Sequence, residues 1–374
     1  MVGMTSAPQA RRIFELDLIR GFFICVIILD HMQRWPSPFT YVTGEGRLWV
    51  TAAEGFFIIS GLLIGYLRAY KQANVPLMEL SKKLWKRGAM LWMWSVLITF
   101  FVVSLTVLLP GDGLMMPKLP NADQVASLPV YVWNVISQQY ASDWIYFLRM
   151  YAVVLAITPG FLWLLRRGKW YIAALIMALA YGSTIAFGLD EAVLQWQLLF
   201  FGAAFLGWKF EAILAWFARR PKLRYTFMVS LMSVTLATMT ASYFFVHGWN
   251  VVESPQGFIS RDQYVNYRAI LDPLFTNNPM TIWRILLAFV WFGGVLSLFH
   301  IVKQPLQRVL GWLFMEFGQY SLTAYCLQAI LLGFAVTFIP ISNSPYINFV
   351  VSCLLIISFW GIMKIPLIKK VLPQ

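Results

Sequence analysis

The sequence predicts an all-α fold, a polytopic integral membrane bundle of about ten transmembrane helices with both termini in the cytoplasm. Hydrophobic residues make up 60% of the 374 residues and charged residues only 12%, far below the charged fraction of a soluble domain. Apolar runs near the ~20 residues that a bilayer requires recur along the whole chain. Lysine and arginine are unevenly divided between alternate connections. We therefore treat residues 1–374 as one transmembrane domain embedded in a lipid bilayer.

Each predicted span is an apolar run bounded by polar or basic residues. The ten spans cover about 14–34, 48–68, 84–109, 144–165, 170–188, 192–214, 225–246, 281–302, 318–339 and 346–366. The stretch 130–140 is apolar but short, and we expect it to be an outer re-entrant or interfacial segment. Two long outer connections, 110–143 and 247–280, have the length and polarity of loops that cover a functional site.

Charge orients these spans. With the N-terminus in the cytoplasm, 21 of the 29 Lys and Arg residues fall on the cytoplasmic side and 7 on the outer side. This asymmetry follows the positive-inside rule and predicts a bacterial cytoplasmic membrane protein. The net charge of +13 is therefore explained by loop bias, and we expect no nucleic-acid partner. The three cysteines lie in apolar runs without metal-ligand spacing, so no metal site is expected.

The first span carries an unusual number of ionisable side chains. Asp17, Arg20, Asp30 and His31 lie within it, and each charge at membrane depth costs on the order of 3 kcal/mol. Arg20 and His31 are 11 positions apart on nearly the same helical face, roughly 16 Å along the axis. Asp17 precedes Arg20 by one turn and can pair with it. A functional role is expected, although the ion pair could only fix helix packing and the histidine could be interfacial.

The second span contributes one acid and several small residues. Glu54 has nearly the depth of His31 and is a candidate partner for the imidazole, with a purely packing role as the alternative. Ser60, Gly61 and Gly65 form a small-residue face that allows another helix to approach closely.

A basic cluster lies on the cytoplasmic side before the third span. Lys83, Lys86 and Arg87 could cradle the phosphates of a nucleotide-bearing donor, since guanidinium and ammonium groups bind phosphate. Gripping anionic lipid is the alternative interpretation.

Candidate acceptor-binding residues come from three later spans. Near the outer surface lie Arg149, Trp196 and Gln197, and a polar stripe in the ninth span follows i, i+4, i+7 spacing with Ser321, Tyr325 and Gln328. Such a stripe faces protein or a water-filled path rather than lipid. Polar contact between helices is the alternative role.

These residues carry a resemblance to a known family. The segment DLIRGFFICVIILDH resembles the R-x10-H signature of the acyltransferase family 3 membrane proteins, here Arg20 and His31, and EGFFIISGLLIG resembles their second-helix FFxxSG motif. The DLIRG start, the adjacent Asp30 and His31, AAEGFF at 52–57, LWKRGAMLW at 84–92 and WQLLFFGAAFLG at 196–207 are similar to the OpgC-like branch, the osmoregulated periplasmic glucan succinyltransferases.

The sequence also departs from the family pattern at two points. The family's R-x-x-R motif appears here only as Lys83 and Lys86, with Arg87 beside them. Gln328 stands where relatives often have histidine.

The resemblance implies transfer of an acyl group, such as succinyl or acetyl, from cytoplasmic acyl-CoA to a hydroxyl of an extracytoplasmic glycan. Acyl-CoA would be a co-substrate, with no permanently bound cofactor. His31 would act as general base, oriented by Glu54 or, less well placed on the helix, by Asp30. Arg20, held by Asp17, would contact the donor, whose arm would occupy a tunnel between Arg20 and His31.

Two other classes of function fit parts of the sequence. A transporter or flippase for a lipid-linked sugar would also contain intramembrane charges, but it would favour inverted repeats or paired broken helices, which the sequence does not display. A non-catalytic scaffold explains neither Glu54 nor the stripe from Arg20 to His31. Consumption of acyl-CoA in the presence of a glycan discriminates between these classes.

Overall fold

The protein is built from α-helices, as the apolar periodicity predicts. A computed structural model describes residues 13–108, 119–189, 191–254 and 257–373. No β-strand occurs within these ranges, and Asn277 and Met280 form an isolated bridge. The cations Arg11, Arg12 and Lys118, which belong to the predicted charge asymmetry, lie outside the described residues.

The helices follow the order of the predicted spans. They are α1 Phe14–Met32, α2 Thr40–Thr43, α3 Ala52–Leu63, α4 Leu77–Leu108, α5 Leu128–Ile136, α6 Tyr146–Arg166, α7 Trp170–Phe187, α8 Ala192–Trp208, α9 Phe210–Ala218, α10 Pro221–His247, α11 Trp249–Val252, α12 Arg261–Leu271, α13 Ile282–Gln319, α14 Ser321–Phe338, α15 Pro345–Met363 and α16 Pro366–Val371. The helix α3 continues as a π-helix over Ile64–Lys71. The stretch predicted to be interfacial contains the short helix α5.

A helix occupies each of the ten predicted spans, but fewer are established as membrane-spanning. In the described part of the chain, seven helices are long and apolar enough to cross a membrane, or eight if the pair α8 and α9, bent by 56°, forms one span. Helices α1 and α14 are not among the seven, because α1 carries four ionisable residues besides His31 and the apolar part of α14 is shorter than those of the others. The chain is thus a helical membrane protein, while ten spans and cytoplasmic termini stay predictions.

The two ends of the bundle differ in character. We call the end that holds Phe14, Lys71 and Arg166 the basic end, and the end that holds 33–51, 119–145, 248–254 and 257–281 the loop end. Both ends of the described chain lie at the basic end, where the Thr323 hydroxyl donates to the Pro373 carbonyl at 2.7 Å. This arrangement agrees with an even number of crossings.

Helix α1 lies at the centre of the bundle and packs against α3, α13, α14 and α15. Its backbone touches that of α13, because an added Cβ at Gly21 would lie 1.9 Å from the Phe314 carbonyl oxygen. On the opposite helix, a Cβ at Gly318 would lie 1.8 Å from the Asp17 carbonyl oxygen. Glycine at both positions therefore permits this approach, which brings the polar groups of α1 within reach of α13 and α14.

The predicted small-residue face on the second span is confirmed. A Cβ at Gly61 or Gly65 would lie 1.9 Å from a backbone carbonyl of α8, that of Phe200 or Ala204 respectively. Helices α3 and α8 therefore pack backbone against backbone. This contact fixes the side of α3 that faces α1.

A buried ion pair joins α3 to α13 at the loop end. The Arg284 guanidinium donates from Nε to the Glu54 carboxylate at 2.6 Å, and the side chains are 6% and 0% exposed. The same carboxylate accepts from the Thr51 backbone N–H at 2.9 Å and so caps α3. Arg284 also donates to the Phe275 carbonyl at 2.9 Å. The pair therefore ties the start of α3, the start of α13 and a loop-end connection together.

We expect the charge asymmetry to report the topology correctly. Cysteines introduced as Lys82→Cys and Arg220→Cys, both at exposed basic-end positions, should react with an impermeant thiol reagent only from the cytoplasmic side. Asp262→Cys on α12 should react only from outside. Labelling of the first two from outside would contradict the predicted orientation. The measurement uses intact cells and inverted vesicles, with the native cysteines replaced by alanine.

The Glu54–Arg284 pair should contribute strongly to stability. Glu54→Gln leaves the Arg284 charge buried without a counter-charge, a change that typically costs about 3–5 kcal/mol. We expect a clearly lower unfolding temperature for the purified protein in detergent.

The exposed pair of Glu79 and Lys83, 2.6 Å apart, supplies the matched control. Glu79→Gln should cost less than about 1 kcal/mol, because exposed ion pairs contribute little. The double variant Glu54→Gln/Arg284→Gln should be less destabilised than Glu54→Gln alone. Equal melting temperatures for Glu54→Gln and Glu79→Gln would show that the buried pair is not the constraint argued here.

Candidate functional site

Helix α1 holds the two residues around which the candidate site is built. The helix is continuous from Phe14 to Met32, so Arg20 and His31 lie on nearly one face and roughly 16 Å apart along the axis, as the sequence predicts. Arg20 lies toward the basic end and His31 in the last turn at the loop end. The two residues therefore belong to two separate polar environments.

The environment of Arg20 is a cavity of about 290 Å³ at the basic end. Three guanidinium groups from three elements meet there: Arg20 on α1, Arg68 on the π-helix and Arg87 on α4. The other lining residues are Phe56, Ser60, Leu63, Ile64, Leu67, Tyr151, Gln319, Ser321 and Leu322. Among the described residues the lining contains no acidic side chain, although the Asp17 carboxylate lies 3.8 Å from Arg20. The cavity is therefore a positively charged site suited to an anion.

Local structure orients each guanidinium. Arg20 donates to the Gly318 carbonyl at 3.3 Å, a bond that the close approach of α1 and α13 makes possible. Arg68 lies on the π-helix and donates at 2.6 Å to Gln72, the residue that follows this helix; π-helical turns recur at functional sites. Arg87 stacks 6.0 Å from the centre of the Tyr151 ring, and its Nε has no hydrogen-bond partner in the described residues. Arg87 thus retains capacity to bind a ligand.

The environment of His31 is set by an amide rather than by a carboxylate. The Nδ1 atom of His31 lies 3.0 Å from Oε1 of Gln328 on α14, while Nε2 of the same glutamine donates to the Trp144 carbonyl at 3.3 Å. Because the amide nitrogen donates to Trp144, the oxygen faces His31 and accepts a hydrogen bond from Nδ1–H. The Nε2 atom of His31 then carries the lone pair, and no described residue hydrogen-bonds to it.

In the structure, His31 does not pair with Glu54 or Asp30, contrary to the prediction from the sequence. Glu54 is engaged by Arg284 and Thr51 instead, because full burial of a carboxylate requires a counter-charge. Asp30 points about 100° away from His31 around the helix and faces the connection after α1, beside Thr43 and Gly46. Gln328, which the sequence predicted as a candidate acceptor-binding residue of the polar stripe, takes the orienting position instead.

Aromatic side chains lie between the two environments. Phe56 is the lining residue nearest the loop end, and its ring packs 5.1 Å from that of Phe147. Phe147 in turn lies 5.5 Å from the ring of Tyr325, one helical turn before Gln328. His31 does not line the basic-end cavity. The basic-end cavity therefore does not extend to His31, and we call the packed rings of Phe56, Phe147 and Tyr325 the aromatic layer.

The predicted acceptor residues have mixed positions. Arg149 lies 3.6 Å from Glu191 and Trp196 packs against Phe57, so neither reaches His31. Gln197 donates to the carbonyls of Met177 and Leu194 and is a contact between helices.

The polar stripe of α14 does face the interior, as predicted. Ser321 lines the basic-end cavity, Tyr325 is buried in the aromatic layer and Gln328 reaches His31. One stripe therefore connects both polar environments, instead of forming a single acceptor surface.

The predicted basic cluster is also divided. Arg87 reaches the cavity, whereas Lys83 and Lys86 are exposed and do not line it; Lys83 instead pairs with Glu79 at 2.6 Å. Sequence reasoning missed Arg68, which it counted only as a loop cation. A usable signal exists, since Ser60, Ile64 and Arg68 recur every four residues and share one helical face.

The sequence of this chain matches a known protein family. The family model described as OpgC protein matches residues 12–367, nearly the whole chain. No curated protein and no solved structure matches the chain. The match includes α1 with Arg20 and His31, the arginine-lined cavity and α14 with Gln328. The chain therefore belongs to the OpgC protein family, and this membership indicates an acyltransferase-like function on glucans.

Proposed function

We propose that the protein transfers an acyl group, such as succinyl or acetyl, from cytoplasmic acyl-CoA to a hydroxyl of an extracytoplasmic glucan. The observation that carries this proposal is the orientation of His31. Its Nδ1 proton is held by Gln328, so Nε2 is available to accept a proton from an alcohol. A positioned imidazole in this tautomer is the usual general base for acyl transfer to a hydroxyl.

The arginine-lined cavity supports an acyl-CoA donor. Coenzyme A carries several phosphate charges, and guanidinium groups bind phosphate through paired, charge-assisted hydrogen bonds. Arg20, Arg68 and Arg87 converge from three elements without an acid in the lining. The cavity lies at the basic end, which the charge asymmetry assigns to the cytoplasm, where acyl-CoA is found.

The reaction can be written with these residues alone. Nε2 of His31 takes the proton of the acceptor hydroxyl as its oxygen attacks the thioester carbonyl carbon. The carbon–sulfur bond breaks, and the departing thiolate receives that proton from the imidazolium. The products are an O-acylated glucan and free coenzyme A. Gln328 keeps the imidazole ring in place throughout, because its amide nitrogen is anchored to Trp144.

Transfer requires the donor arm to pass the aromatic layer. The cavity ends near Phe56, short of His31, while the axial separation of Arg20 and His31 is roughly 16 Å. The proposal therefore includes displacement of Phe56 and Phe147 when donor binds. Aromatic rings that close the path in the absence of donor would also keep water and ions from crossing.

His31→Ala should remove the general base. We expect kcat and kcat/KM to fall together by roughly 10²–10⁴-fold, since the lost interaction is made only in the transition state, with the KM for acyl-CoA little changed. Steady-state kinetics in nanodiscs, with acyl-CoA and glucan varied separately, measure this.

The matched control is His300→Gln, which alters a histidine at the basic end beside Glu15 and should keep turnover. Full turnover by His31→Ala would refute the assignment of the base. Movement of glucan across the membrane without consumption of acyl-CoA would instead establish the transporter alternative.

Arg68→Gln and Arg87→Gln should weaken donor binding. A hydrogen bond to a charged group contributes about 1.5–3 kcal/mol, so each variant should raise the KM for acyl-CoA by about tenfold or more. Competition between acyl-CoA and free coenzyme A in a binding assay provides a second readout. The matched control is Lys82→Gln, which removes an exposed cation from α4 and should leave donor affinity unchanged.

Arg20 requires a double variant, because its loss alone leaves the Asp17 carboxylate without its cation. Asp17→Asn/Arg20→Gln should also bind acyl-CoA more weakly. Parental donor affinity in all three variants would show that the cavity is not the donor site.

A further inference from the structure

A second cavity lies at the loop end, away from the arginines. Its volume is about 250 Å³, and it is formed by residues between 119 and 143, which precede α6, together with the start of α6. Its polar lining residues are Asn121, Gln124, Gln139, Tyr140, Asp143 and Tyr146. None of the residues assigned above to donor or base lines this cavity.

The chemistry of this lining differs sharply from that of the basic-end cavity. Among the described residues it combines three amides, two phenols and one carboxylate, without a lysine or arginine. Amides both donate and accept hydrogen bonds, as sugar hydroxyls do, while a tyrosine ring offers an apolar face with a polar edge. The lining therefore suits a neutral polyhydroxyl compound.

The cavity is preformed by hydrogen bonds within the connection. Asn121 and Gln124 bond reciprocally, each side-chain oxygen accepting the other residue's backbone N–H at 3.0 Å. Both amide oxygens are thus used, and the two amide nitrogens have no acceptor among the described residues. Asn134 on α5 donates to the Gln124 carbonyl at 3.0 Å and fixes the pair. Amide donors held in place in this way lose little entropy when a ligand binds.

The other side of the cavity is anchored to α4. Gln138 is fully buried and accepts from the Ser95 hydroxyl at 2.7 Å, and its φ of 61° turns the chain so that Gln139 is exposed. The Ser142 backbone N–H donates to Thr99 at 3.3 Å. Gln139 and Asp143 therefore lie on exposed positions of a well-anchored turn, and the cavity opens to the loop-end surface.

The cavity is directly linked to the candidate base. Trp144 lies between the lining residues Asp143 and Tyr146, and its carbonyl accepts from Gln328, the residue that holds His31. Two hydrogen bonds thus join the cavity wall to the imidazole. A chain bound in the cavity lies at the same end of the bundle as His31.

We infer that this loop-end cavity is an acceptor subsite that holds one neutral sugar residue of the glucan while a neighbouring residue presents its hydroxyl to His31. The inference rests on the proposed function for the identity of the acceptor. The volume lies below the ~300 Å³ of pockets for drug-sized ligands, which fits one ring of a longer chain. The exposed rim lets the chain continue in both directions.

The test uses the full-length protein in nanodiscs and glucan purified from cells that lack this gene. Binding without donor is measured by calorimetry, and the KM for glucan by steady-state kinetics with saturating acyl-CoA. Gln139→Ala removes an amide, and Asp143→Asn replaces a charged acceptor by a neutral one. Each should weaken glucan binding and raise the KM for glucan by about tenfold, the effect of one or two lost neutral hydrogen bonds or of one lost charge-assisted bond. The KM for acyl-CoA should not change.

The matched control is Asp123→Asn, an exposed carboxylate in the same connection that does not line the cavity. It should bind glucan as the parent protein does. Gln139→Ala removes an exposed side chain without a hydrogen-bond partner in the described structure, so its folding should be intact. Parental affinity and KM in both Gln139→Ala and Asp143→Asn, or no glucan binding by the parent protein, would overturn the inference.

Failure of the proposed function gives a different result. If the parent protein binds glucan, the two lining variants bind it more weakly and no acyl-CoA is consumed, the subsite stands and acyl transfer does not. If acyl-CoA is consumed with glucan but the variants behave as the parent, acyl transfer stands and the acceptor binds elsewhere.

Discussion

The rest of the structure depends on satisfying the polar groups of α1 inside a low-dielectric bundle. A charge or an imidazole at membrane depth needs a partner within the protein. Helix α1 carries several such groups, at two different depths in the bundle. Gly21 and Gly318 allow α1 and α13 to touch through their backbones, and this contact lets Arg20 donate to the Gly318 carbonyl. At the other level, Gln328 on α14 satisfies His31. The arrangement of helices around α1 follows from these two requirements.

Separation of the two polar levels has a functional meaning under the proposed reaction. A polyanionic donor is attracted to three arginines at one end, and a neutral acceptor meets amides and phenols at the other. The aromatic layer of Phe56, Phe147 and Tyr325 lies between them. An enzyme that joins substrates from opposite sides of a membrane needs such a division, because an open path would also leak ions.

The use of Gln328 to orient His31 distinguishes this site from an acid-assisted triad. A carboxylate would hold the imidazole and also stabilise its charged form, whereas a neutral amide only holds the ring and selects the tautomer. The carboxylate at similar depth, Glu54, serves architecture through Arg284 instead. The acid therefore stabilises the start of α3 and α13, and the imidazole is held by a group that costs less to bury.

The sequence by itself determined the helical class and the positions of helices in the ten predicted spans, and it singled out Arg20, His31, Asp17 and Arg87, whose roles stay predictions. Hydropathy, helical spacing and the cost of burying charge are local properties, so the residues of one segment are enough to reveal them. The small face of Gly61 and Gly65 could be predicted for the same reason. Only the tertiary structure decided that Glu54 pairs with Arg284, that Gln328 holds His31 and that Arg68 completes the cavity. These partners are separated by 19 to 297 positions, and a one-dimensional pattern contains no information about which buried polar groups meet when helices pack.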